Sequence, residues 1–267
     1  MLTVFLQTLR ESLARRMGLV MIILSVIIPL YFMYSLVIEQ APDGSYMVTA
    51  GRQKVPAAMF ARFTWNAQLQ FSQGLWMWIA IFVAGSLLSS YLEKGWADML
   101  LTKGVARWKF MLARISGCFT LFLLMLFMMC AVPALYLWAR TGISAEGFLL
   151  ALLLVAFNFL CLLALMAMVS VPTPNVALLV MVGFLQIAFS NVLINRKEIL
   201  EFFNRPWLEP VFNFVHGVLP RTKEVSNMAA ELMNNQTVAS WSPLYWSAAL
   251  AVAYLVVACY SLHRKAI

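Results

Sequence analysis

The sequence predicts an all-α integral membrane protein with six transmembrane helices, on three observations. Of its 267 residues, 63% are hydrophobic and 11% charged, whereas soluble domains are roughly 45–50% apolar and about 25% charged. Too few polar side chains exist to cover a surface facing water. Charge is absent from long blocks, and about 20 apolar residues suffice to cross a hydrocarbon core of ~30 Å. Lys and Arg, finally, gather on the segments that one topology places on a single side of the bilayer.

Taken in chain order, Leu2, Phe5, Leu6, Leu9 and Leu13 recur at helical spacing, with Arg10, Glu11 and Arg15 between them. This predicts an interfacial helix over 1–16 whose apolar side lies in the acyl boundary. The run between Arg16 and Glu39 gives a first span at 18–38, with Pro29 inside it. An external loop, 39–74, follows; it contains the turn signal PDGS and shows no chemistry. The second span is 75–92 and the third 115–138, where Pro133, like Pro29, is expected to kink its helix.

From Gly147 to Asn195 no ionisable side chain occurs, which at ~1.5 Å per residue is too long for one crossing. The break is VPTPN, where Pro172 and Pro174 remove helical donors and disfavour helix in the preceding residues. Spans four and five are therefore 148–170 and 175–194. The external segment 195–242 is charged yet rich in the anchors Phe202, Phe203, Trp207, Phe212 and Phe214. Pro206, Pro210 and Pro220 divide it, predicting short amphipathic or re-entrant helices packed against the bundle. The sixth span is 243–262. The chain, 1–267, reads as a single transmembrane domain.

With the N-terminus inside, ten cations face the cytoplasm against Glu11, Glu93 and Asp98, and nine face outward against eight acids, which recovers the net charge of +8. Because the positive balance borders the spans, it fits topology and anionic lipid contact, and no nucleic acid partner is expected. Cys118, Cys130, Cys161 and Cys259 all lie within spans without metal-ligand spacing. They read as small packing residues, and no metal site is expected. The first span is long and no small-residue cleavage site follows it, so its retention is expected.

The spans hold no ionisable residue, which argues against proton-coupled transport and against a membrane-embedded hydrolase. His216 and His263 read as surface residues. The polar groups within spans are Asn158, Asn175, Gln186 and Asn191, with Ser86, Ser89 and Ser90. Hydrogen bonds between helices account for such groups. Asn158 and Gln186 are also candidates for a translocation path.

Between spans two and three, the cytoplasmic segment 93–114 combines five cations with an apolar helical pattern through Met99, Leu100 and Leu101. A connection between antiparallel helices needs only a few residues, so this insertion either packs on its own bundle or docks to another protein. In it, Glu93, Gly95, Asp98, the triplet Met99 to Leu101, Thr102, Lys103, Val105, Arg107 and Arg114 follow one another in a pattern. That pattern resembles the cytoplasmic loop of the permease subunits of type-2 ATP-binding-cassette exporters. Those permeases typically show an acidic residue, then Gly-Thr-Leu-Glu, three apolar residues, Ser-Lys-Pro-Val-Ser-Arg and a later basic residue. Trp96, Ala97, Gly104 and Ala106 depart from it. The sequence-level likeness runs from Glu93 to Gly117; the architecture resembles that family over the whole chain.

The resemblance implies a coupling helix seated in a groove of a cytoplasmic ATPase subunit, with Glu93, Gly95, Trp96, Asp98, Leu101, Lys103 and Arg107 as docking residues. Asp98 and Arg107 would offer charge, Trp96 and Leu101 apolar anchors. It further implies a second permease copy or homologue as partner, both termini in the cytoplasm, and a place in the plasma membrane, the inner membrane of a bacterial cell. The sequence has no Gly-rich loop ending in Gly-Lys-Ser/Thr, so this chain is expected to be no enzyme and to bind no cofactor, with ATP and Mg on the partner ATPase. The competing expectation is a membrane anchor or assembly subunit that transports nothing. A passive channel would need a ring of charge that the spans lack.

Overall fold

The computed structural model describes residues 5–6, 8, 10–11, 16–41, 45–50, 53–90, 107–203 and 208–264. In lipid every backbone polar group must find its partner within the protein, which favours helices. Six of the described helical runs are long and apolar enough to cross a membrane: Gly18–Ser35, Ala57–Ser89, Trp108–Thr141, Glu146–Ser170, Val176–Ile194 and Ser242–Arg264.

The first helix, α1 (Arg16–Ser35), stops short of the expected residue 38, because Val37–Gln40 forms a strand, β1. It pairs antiparallel with β2 (Tyr46–Ala50), which pairs with β3 (Gln53–Pro56), in the registers Val37↔Thr49 and Val48↔Val55. Val, Ile, Thr and Tyr suit a pleated surface, and Val48 is fully buried beneath the sheet. Lys54 reaches Glu39 at 2.6 Å, but both are exposed, so the pair adds little. This small sheet departs from the all-α expectation.

The second run is far longer than its expected span. Helix α2 (Ala57–Phe71) passes through a π-helical turn, Ser72–Trp76, into α3 (Met77–Ser90). Residues 57–74, expected as loop, are helical because their polar residues are spaced for a helix: Ala57, Ala61, Thr64, Trp65 and Leu69 are buried, while Arg62, Asn66 and Gln70 are exposed. The third run is α4 (Arg107–Leu126), a second π-helical turn, Phe127–Ala131, and α5 (Val132–Thr141). Pro133 would clash with the carbonyl four residues back in a regular helix. The wider π turn immediately precedes it. Ser72 and Cys130 meet at 3.1 Å, so the two π turns touch.

Next come α6 (Glu146–Ser170) and α7 (Val176–Ile194). Asn175, which the sequence placed in a span, caps α7 by accepting from the Ala177 amide at 2.9 Å. Helix α6 is the axis of the bundle, with 72% of its most apolar window buried against 18% for α1. Helices α3 and α7 approach closely through small residues: an added Cβ on Gly183 would lie 2.7 Å from Ile81, and one on Gly85 2.9 Å from Val180. Short helices α8 (Arg196–Phe203), α9 (Leu208–Val218) and α10 (Thr222–Met233) precede α11 (Ser242–Arg264). At the other end of the chain, residues 5–6, 8 and 10–11 are helical, and Thr8 is buried.

Candidate functional site

Three residues, Leu219 to Arg221, separate α9 from α10. A turn between two helices exposes the last carbonyls of one and the first N–H groups of the next, and each needs a partner. Side chains from α6, α7, α11 and the first π turn supply them. Tyr254 donates its hydroxyl to the Val218 carbonyl. Gln186 donates to Pro220 O at 2.7 Å, and Asn158 to Thr222 O at 3.0 Å and to Ser226 Oγ at 3.1 Å. The Arg221 amide donates to Ser247 Oγ at 3.0 Å, and the Lys223 amide to Ser190 Oγ at 2.8 Å. Gln73 completes the set with a 3.3 Å bond to Ser226 O.

These anchors lie well inside the long helices. Asn158 is about 18 Å along α6 from Glu146, and Gln186 about 12 Å from the Ile194 end of α7, at ~1.5 Å per residue. From there α10 runs back antiparallel to α6 until Leu232 meets Gly147. Asn158 and Gln186, the two translocation-path candidates, therefore converge on one turn. Both are buried, and Asn158 Oδ1 and Gln186 Oε1 have no partner among the described residues. Replacing Asn158 by Leu removes both of its bonds and strands a buried carbonyl; the expected loss is about 1–3 kcal/mol, read as a lower denaturant midpoint in detergent.

Beside the turn lies a cavity of about 290 Å³ that Asn158 lines and Gln186 does not. Its polar wall is Gln70, Gln73, Asn158, Asn191, Lys223 and Ser226, and its apolar wall includes Met77 and Trp78. Lys223 is not recognisable here from sequence, because depth depends on how far the α9–α10 turn reaches. On the opposite side of the same π turn a second cavity, about 460 Å³, is lined by Phe32, Phe63, Phe71, Leu75 and Pro133.

His216 is buried, not at the surface as the sequence suggested. Its Nε2 stands 3.8 Å from Glu224. Glu224 also stands 3.8 Å from Arg221, whose guanidinium lies over the Trp246 ring.

The cysteines Cys118, Cys130 and Cys161 are buried and Cys259 half-buried. Among the described residues no group of three or more His, Cys, Asp and Glu is placed to hold a metal. The docking candidates Glu93, Gly95, Trp96, Asp98, Leu101 and Lys103 lie outside the described residues, and Arg107 marks the start of α4. The chain matches no protein-family model and no curated protein.

Proposed function

We propose that the chain is a permease subunit of an ATP-driven exporter of the type-2 ATP-binding-cassette class. It forms the substrate pathway as a dimer with a second permease copy or homologue and takes its energy from a separate cytoplasmic ATPase subunit. The observation that carries the reading is the pattern from Glu93 to Arg114 between the second and third apolar runs, with no phosphate-binding loop elsewhere in the chain. An energy-dependent membrane protein without its own nucleotide site needs a partner that hydrolyses ATP. A helix tied at both ends to membrane spans can turn the partner's closure into movement of those spans.

Several features support the same reading. The positive charge near Lys94, Lys103, Lys109 and Arg114 fits a cytoplasmic face, with both termini on that side and the N-terminal helix lying along the interface. On that topology the α9–α10 pair enters from the outside and turns back within the membrane. Side-chain bonds to the Val218, Pro220 and Thr222 carbonyls and the Arg221 and Lys223 amides are what such a turn needs where water is absent.

The test is affinity purification of the tagged protein in mild detergent, comparing wild type with Asp98→Arg/Leu101→Glu. An ATPase subunit is expected to accompany the wild type, with nucleotide hydrolysis in the purified complex, and to be lost from the double variant. Wild type that brings no ATPase in several detergents would sink the exporter reading in favour of an anchor.

A further inference from the structure

We infer that the cavity beside the α9–α10 turn is a binding site for a hydroxylated anion of headgroup size, a phosphate ester of a small polyol. Lys223 gives its lining a single positive charge, and none of the lining residues is a carboxylate. The nearest acid in sequence, Glu224, faces Arg221 and His216. The cavity also adjoins the N-terminus of α10, a 12-residue helix whose dipole favours negative charge.

A second, independent feature specifies more than charge. The wall supplies amides from Gln70, Gln73 and Asn191 and the hydroxyl of Ser226, groups that both donate and accept and so match hydroxyls as well as phosphate oxygens. Asn158 holds the α10 side of the wall in place through its two Nδ2 bonds to Thr222 and Ser226. At about 290 Å³ the space suits a headgroup-sized ligand, near the lower end of ligand pockets at roughly 300–1,000 Å³. Lys223 would take the anionic oxygens, and the amides of Gln70, Gln73 and Asn191 with the Ser226 hydroxyl would take a polyol's hydroxyls. The inference rests on the membrane placement proposed above and not on the ATPase partner.

Two variants probe the site without touching the bonds that hold the turn. Lys223→Gln removes the charge while leaving the backbone amide on Ser190. Gly74→Phe fills the cavity, since an added Cβ there meets nothing within 4 Å. The full chain is placed in nanodiscs of phosphatidylcholine with a minor share of phosphatidylglycerol, and lipid retained after mild extraction is counted by native mass spectrometry. Free glycerol 3-phosphate is titrated in parallel with protein in phosphatidylcholine alone. Wild type is expected to retain phosphatidylglycerol about tenfold or more over phosphatidylcholine, the size of one lost charged hydrogen bond. Both variants should lose that preference while keeping the wild-type unfolding midpoint.

Saturable binding of glycerol 3-phosphate that vanishes in both variants, without lipid preference, would support the same site with a soluble ligand. Retention of either probe that is equal in wild type, Lys223→Gln and Gly74→Phe overturns the inference, as does failure of wild type to bind either. Because no nucleotide or second subunit enters the assay, these outcomes are separate from those of the ATPase purification.

Discussion

Replacing Glu11 by Ala is expected to destabilise the detergent-solubilised protein by about 1.5–3 kcal/mol, the worth of a hydrogen bond between charged groups. Arg114 is 3% exposed, and its Nη1 lies 2.5 Å from Glu11 Oε2, itself 24% exposed. Without Glu11 the buried Arg114 guanidinium loses the ion pair that offsets part of its desolvation. Thr8 lies against the same helix, where an added Cβ on Gly117 would come within 2.8 Å of it. Thr8 and Glu11 thus both lie against α4, and the pair helps hold them there.

The double variant Glu11→Met/Arg114→Met is expected to recover most of the loss, since apolar groups of similar size replace a buried pair at little cost. Equilibrium unfolding in a detergent titration reads both. A Glu11→Ala protein as stable as the wild type would show that the pair holds nothing. On the proposed function the same contact has a mechanical meaning: α4 emerges directly from the coupling segment, so movement of that segment would carry the N-terminal helix along the interface.

Much of this fold could be read from where charge is missing. The run from Gly147 to Asn195 and its VPTPN break lead to α6 and α7, because two prolines end a helix regardless of tertiary context. The sequence hides the small sheet because its strands are four or five residues long and a short apolar run does not distinguish strand from helix. It hides the helical character of 57–74 because Arg62, Asn66, Gln68, Gln70 and Gln73 make a polar average that looks like a loop. Their spacing, with Ala57, Ala61, Trp65 and Leu69 buried, was the usable signal. That π turns would form could not be anticipated, although Pro133 marked one of the two places.

The site was half legible. Asn158 and Gln186 stand out as amides in apolar helices, and hydrogen bonding between elements was the right physical class of explanation. Their shared partner is a turn whose own sequence, LPRTK, lies in the external segment 195–242, where short amphipathic or re-entrant helices are expected but nothing singles out this turn. Only three-dimensional packing brings Lys223 beside Asn158 at one cavity.

That packing depends on α10 lying against α6, and Gly147→Val is expected to disturb it at the end far from the turn. An added Cβ on Gly147 would stand 2.4 Å from the Leu232 carbonyl oxygen and 2.9 Å from Asn235 Oδ1. The nearer obstacle is backbone at the last turn of α10, so no rotamer change can relieve it. Either α10 slides or α6 opens. Overpacking of this kind costs about 3 kcal/mol, the upper end of its usual range, where the obstacle cannot yield. Gly74→Ala is the matched control: its Cβ meets nothing within 4 Å, and Ala should be neutral or up to about 1 kcal/mol better than Gly in a helix.

The two glycines therefore predict opposite signs from the same substitution class. Unfolding midpoints measured side by side distinguish a general intolerance of side chains in this bundle from a specific contact between α6 and α10. If Gly147→Val unfolds with the wild type, the close approach is not what holds α10 in place. If it unfolds early and also weakens retention of the anionic probe, the strain has travelled the length of α10 to its N-terminus, because Lys223 is carried on the same rigid helix as Leu232.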